Sequence, residues 1–116
     1  MSNNSRLECR KEMGDFMSKA IWFISYKLKK GVSEEDFLRA SKKCNDEVLS
    51  KQKGFISWDV LRDGDTWVDL VKWESAEDAK NGETAGVGNP ASREFYAFIN
   101  MRSCKLQLYS VEKNHQ

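Results

Sequence analysis

An Asp-Gly pair between two apolar runs constrains this chain more than any other feature. It lies in residues 54–75, GFISWDVLRDGDTWVDLVKWES. Asp-Gly in that setting signals a β-hairpin, because a two-residue type I′ loop needs positive φ at both central positions. With Asp63-Gly64 as the loop, Val60 faces Trp67, Trp58 faces Asp69 and Ile56 faces Val71. A three-residue loop would set Asp59 against Asp69, and like charges directly opposite destabilise a ladder. Side chains alternate between the faces of a strand. One face therefore carries Ile56, Trp58, Val60, Trp67, Asp69, Val71 and Trp73. The other carries Phe55, Ser57, Asp59, Leu61, Val68, Leu70 and Lys72. Both are rich in apolar groups, so the ribbon is expected to be covered on both sides.

The remaining elements follow in chain order. Residues 1–19 read as an N-terminal extension, partly disordered or a short helix weakened by Gly14. Residues 20–29 (AIWFISYKLK) form the first strand, apolar on both faces at its start and so expected at the centre of a sheet. Ser33 caps a helix whose first turn holds Glu34, Glu35 and Asp36, which suit the positive end of its dipole. Phe37, Ser41, Cys44 and Val48 share its buried stripe, which makes Cys44 a packing residue, and the helix should end near residues 51–53. Ser75 caps a second helix. Gly82, Gly86 and Gly88 interrupt it and read as a flexible surface loop. That loop lacks the Lys-Ser/Thr of a phosphate cradle. Asn89 and Pro90 restart the helix, with Phe95, Phe98 and Ile99 on its apolar face. Residues 105–111 form the last strand, and 113–116 a polar tail.

The order strand, helix, strand, strand, helix, strand over residues 20–112 predicts an α+β ferredoxin-like βαββαβ domain. Its four-stranded antiparallel sheet should carry both helices on one face. The opposite face, with Phe23, Phe55, Leu61, Val68 and Leu70, would be bare in a monomer. Contiguous apolar surface of that kind marks an interface, here a homodimer closing two sheets into a dimeric α/β barrel.

Composition excludes several functions. The chain has 116 residues, enough for one core. Nineteen Lys and Arg against 18 Asp and Glu argue against a nucleic-acid partner held through phosphates. The three cysteines, Cys9, Cys44 and Cys104, fit a reducing cytoplasm better than a disulfide scaffold. The single histidine, His115, lies in the tail, so no histidine-built metal site and no Ser/Cys-His pair is expected. No stretch approaches the ~18 apolar residues of a membrane span, and the N-terminus is polar rather than signal-like.

Residues Gly54-Phe55-Ile56-Ser57, Thr66-Trp67-Val68-Asp69, Lys72-Trp73-Glu74-Ser75, Asn89-Pro90-Ala91 and Phe95-Tyr96-Ala97-Phe98-Ile99 resemble the dimeric α/β barrel superfamily. The antibiotic-biosynthesis-monooxygenase-like proteins are the branch meant, and the likeness spans roughly 21–111. It implies a ligand cavity within one subunit, between sheet and helices, with Trp73 in it. The hairpin register then adds Trp58, Trp67 and Asp69, and first-strand parity adds Ile24 and Tyr26. Haem-degrading relatives use a helix histidine, a strand asparagine and a tryptophan. Only the tryptophan has a counterpart, Trp73; Ile24 stands where the asparagine would be, so haem degradation is not expected. Leu108 replaces a last-strand histidine of close relatives.

Two functions compete. One is a cofactor-independent monooxygenase-like enzyme for a small aromatic substrate. Asp69 would take a proton, Trp58, Trp67 and Trp73 would form walls, and Tyr26 or Tyr96 would donate a hydrogen bond. The other is a non-catalytic dimer that holds a small apolar ligand or a protein partner. Tryptophans that merely pack the core, and an Asp69 satisfied by neighbouring N–H groups, would produce the same sequence.

Overall fold

A computed structural model describes residues 18–116. The expected N-terminal extension lies, but for its last two residues, outside them, as does Cys9. The elements are β1 (Ala20–Leu28), α1 (Glu34–Glu47), a 3-10 turn (Leu49–Lys51), β2 (Phe55–Asp63), β3 (Thr66–Trp73), α2 (Ala76–Gly82), α3 (Pro90–Tyr96) and β4 (Ile99–Ser110). The sheet order is β2-β3-β1-β4, every neighbouring pair antiparallel. This is the expected βαββαβ arrangement, with β1 and β3 central.

Each helix starts on the side chain the sequence offers. Ser33 Oγ accepts from the Asp36 N–H at 3.1 Å, Ser75 Oγ from the Asp78 N–H at 3.1 Å, and Asn89 Oδ1 from the Ala91 N–H at 2.8 Å. Each satisfies a donor the helix cannot. The first helix closes at Glu47, earlier than expected, and a 3-10 turn completes the span. Leaving α-geometry at Val48 buries two successive apolar side chains, Val48 and Leu49.

The hairpin loop is Gly64-Asp65, not Asp63-Gly64. Asp63 pairs with Thr66, Arg62 with Trp67, Val60 with Asp69 and Trp58 with Val71. Gly64 has φ 65°, and no non-glycine residue has positive φ among the described residues. A glycine-first, type II′-like loop spares Asp63 the left-handed conformation that a type I′ turn would demand. The register differs from the expected one by two residues, so every side chain keeps its face; a slip of one would have reversed them all.

At the other end of the ribbon a bulge between Phe55 and Ser57 reverses the alternation. Phe55 turns to the helix side and meets Trp73 edge-on at 5.9 Å, while Ile56 is exposed. Phe55 therefore leaves the bare face to which alternation assigned it. The last strand begins at Ile99 rather than 105, so Phe98 and Ile99 are not helical. Between the pairs Ser25–Lys105 and Lys27–Asn100, β4 carries extra residues. Ser103 Oγ bridges that gap, accepting from the Lys27 N–H at 2.9 Å and donating to the Asn100 carbonyl at 2.6 Å.

The core lies on one face of the sheet. One cluster joins Tyr26, Trp67, Phe37, Cys44, Val48, Phe95 and Ile99; the other joins Ala20, Trp22, Val71, Trp73, Leu49 and Ala79. Ile24 and Trp58 pack against both. On the opposite face Phe23, Val68 and Leu70 are only half-buried, and Leu61 and Tyr109 are exposed.

Candidate functional site

Between the two core clusters the packing opens into a cavity of about 450 Å³. Its sheet wall is Trp22, Ile24, Trp58, Asp69, Val71 and Leu106. Cys44, Val48 and Leu49 close one side; Ser92, Phe95 and Tyr96 of α3 close another. The last wall is backbone-rich: Gly82, Gly86, Val87 and Gly88, with Glu83 and Arg93 beside them. The volume suits one small organic ligand, and the lining is apolar with few polar groups, as such sites are.

The segment 82–88 lies at the surface, as expected, with Val87 81% exposed, but it also forms this last wall of the cavity. Backbone N–H groups of Glu83, Ala85, Val87 and Asn89 donate to the carbonyls three residues earlier, at 3.0–3.2 Å. These successive turns hold the segment against the core. Glycine is needed because the segment approaches so closely: a Cβ on Gly86 would stand 2.3 Å from Ser92 Oγ.

Asp69 is the polar centre. It is 4% exposed, and Tyr26 Oη donates to its Oδ1 at 2.7 Å. Among the described residues no hydrogen bond reaches Oδ2. Desolvation pushes the carboxyl pKa up to about 6, against opposing contributions from Tyr26 and the Trp58 indole. Trp58 Nε1 nevertheless stands outside hydrogen-bonding geometry and is buried with no partner. No lysine, arginine or histidine pairs with Asp69 among the described residues. Burial also pushes Cys44, Cys104 and Tyr26 upward. Tyr96 is about half exposed, yet its phenol is buried enough to reach about 12.

Of the residues singled out from sequence, Asp69, Ile24, Trp58 and Tyr96 line the cavity; Tyr26, Trp67 and Trp73 do not. Tyr26 stands behind Asp69. Trp67 packs against Phe37 at 5.1 Å, with the Arg62 guanidinium 4.9 Å from its ring centre. Trp73 is wholly buried, and the space beside it is filled: Trp22 packs against it, ring centres 4.9 Å apart and planes tilted by 52°, and lines the cavity in its place. Trp22 was missed, although it has the same strand parity as Ile24 and Tyr26. Three glycines within seven residues were the available signal for the backbone wall. No group of His, Cys, Asp or Glu among the described residues has a metal-holding arrangement, and no histidine lines the cavity to ligate a haem iron.

Fold and cavity together define a ferredoxin-like α+β domain with a ligand-sized chamber between sheet and helices. The profile of the antibiotic biosynthesis monooxygenase family matches residues 22–82, more than half of the chain, and the chain belongs to that family. Solved structures share the fold at low identity. SnoaB, a cofactor-independent oxygenase from Streptomyces nogalater, superposes with TM-score 0.68 at 11% identity, covering 84% of this chain and 96% of its own. A protein of unknown function from Nitrosomonas europaea gives 0.66 at 11%, covering 87% and 96%. A conserved protein from Methanosarcina mazei gives 0.64 at 12%, covering 82% and 94%. No curated protein is detectably similar in sequence. No helix among the described residues is long and apolar enough to cross a membrane.

Proposed function

We propose that this protein is a cofactor-independent, monooxygenase-like oxidoreductase for a small hydroxylated aromatic compound. One observation carries the reading: a buried carboxylate that, among the described residues, has no counter-cation and accepts a hydrogen bond at one oxygen only, in the wall of an aromatic-lined cavity. Family membership and the fold shared with a cofactor-independent oxygenase support it.

Asp69 is the base. A carboxyl near pKa 6 is largely ionised at neutral pH yet basic enough to share a proton with an enol or phenol. Trp58, Phe95, Ile24 and Tyr96 hold the ring and exclude water. For an anthrone-type substrate, Asp69 accepts the proton and the carbanion passes its electrons to dioxygen. A C–O bond forms. The O–O bond then breaks as the methylene becomes a carbonyl, and the second oxygen leaves as water with both protons, one returned by Asp69.

The functional unit in this reading is a homodimer, supported by the apolar face of Phe23, Leu61, Val68, Leu70 and Tyr109. A reducing cytoplasm suits the free thiols of Cys44 and Cys104.

The test is incubation with dithranol, an anthrone, under oxygen, following oxygen uptake and the quinone chromophore. Turnover above the spontaneous rate, lost in Asp69→Asn, is expected. Binding without product would make the protein a ligand-binding dimer instead.

A further inference from the structure

We propose that Tyr26 is the positioning residue of this site: from outside the cavity its hydroxyl fixes Oδ1 of Asp69, so that Oδ2 is the atom a ligand meets. The inference rests on Asp69 being the base, and it reassigns Tyr26 from ligand contact to carboxylate holder.

The ladder sets the geometry. Ile24 pairs with Asp69 and Tyr26 with Trp67, so Tyr26 lies one same-face position along β1 and reaches back diagonally. Same-face diagonal neighbours are about 7–8 Å apart, within the span of a tyrosine. The ring is 1% exposed and meets Phe37 edge-on at 6.1 Å. The extra residues of β4 leave Tyr26 without a ladder partner on that side, where Cys104 packs against the same cluster. A ring held this way has no room to swing toward the ligand.

The direction of the hydrogen bond is fixed as well. Burial and the neighbouring carboxylate raise the proton affinity of the Tyr26 phenol far above its ordinary value, so it stays an O–H donor whenever Asp69 is ionised. It cannot serve as the base. Tyr26 of β1, Cys44 of α1, Tyr96 of α3 and Cys104 of β4 face Asp69, with the Trp58 indole of β2, and all are uncharged where Asp69 titrates. Arg93 and Glu83 line the same cavity, but among the described residues no ion pair or hydrogen bond joins either to Asp69. The one hydrogen bond from Tyr26 therefore has unusual weight in deciding which oxygen is free and how strongly it holds a proton.

Tyr26→Phe tests this in the full chain. The Asp69 carboxyl is titrated by carbon NMR, with Asp69→Asn identifying the signal, and the pH profile of dithranol oxidation is recorded beside it. The Asp69 midpoint should rise by about one pH unit, the weight of a hydrogen bond to a charged group. The acid limb of the profile should follow it, with kcat changed more than KM because Tyr26 does not touch substrate. A merely structural role would lower the melting temperature and leave the midpoint in place; that result overturns the proposal. Should Tyr26→Phe not fold, fluorotyrosine incorporation gives the opposite shift. It replaces all three tyrosines, but only Tyr26 bonds Asp69. A more acidic phenol donates more strongly, so the midpoint should fall, and no change again overturns the proposal. A midpoint that moves in a protein that oxidises nothing leaves the positioning role standing and removes the enzymatic reading.

Discussion

The indole of Trp73 approaches Gly82 so closely that a Cβ on Gly82 would stand 2.4 Å from Cη2 and 2.7 Å from Cζ2. The contact ties the floor of β3 to the end of α2, where the glycine wall of the cavity begins. With Trp22 and Phe55 packed on its other sides, Trp73 is 0% exposed and has no cavity surface.

Gly82→Ala separates helix propensity from packing. In an open helix end, alanine would stabilise by up to about 1 kcal/mol. Here the added methyl must displace a fully buried indole, and overpacking of that kind costs about 1–3 kcal/mol. A net loss in a urea melt is expected. A gain would mean that α2 and Trp73 do not pack as described.

Asp69→Asn should make the protein more stable at neutral pH. The carboxyl has an ordinary pKa of 3.8 and about 6 when folded, so folding takes up a proton between those values. The stability this provides is complete below 3.8 and lost as pH rises through 6, a difference of about 3 kcal/mol. Asparagine removes the dependence. Melts at about pH 8 should favour the variant, and the advantage should vanish near pH 4. A variant less stable at both would mark Asp69 as a structural anchor, held for its hydrogen bonds rather than for chemistry.

Leu70→Asp probes the bare face. Leu70 sits at the centre of that face on β3, opposite Phe23. A charge there is harmless to a solvated monomer and costly in a closed interface. Sedimentation at micromolar concentration should show a dimer for the parent chain and a 13.4 kDa species for the variant. A parent chain that already sediments as a monomer would remove the dimer from the proposed function.

What the sequence determined by itself is what short-range rules control. Ser33, Ser75 and Asn89 announce three helix starts because capping acts within one turn of chain. The alternation from Trp67 to Trp73 assigns Asp69 to the helix side because strand period is local. Tertiary structure alone decided depth and partnership. Parity puts Tyr26, Trp67 and Trp73 on the cavity's side of the sheet, but only packing sets Trp22 in front of Trp73 and Tyr26 behind Asp69. The Tyr26–Asp69 bond spans 43 residues of sequence, and its energy depends on water excluded by α1, α3 and β4 together. The glycines of 82–88 likewise looked like a loose loop, because close approach is a property of two surfaces and the chain shows only one of them. Local periodicity thus chooses the face, whereas volume and solvation choose which residues on that face meet a ligand.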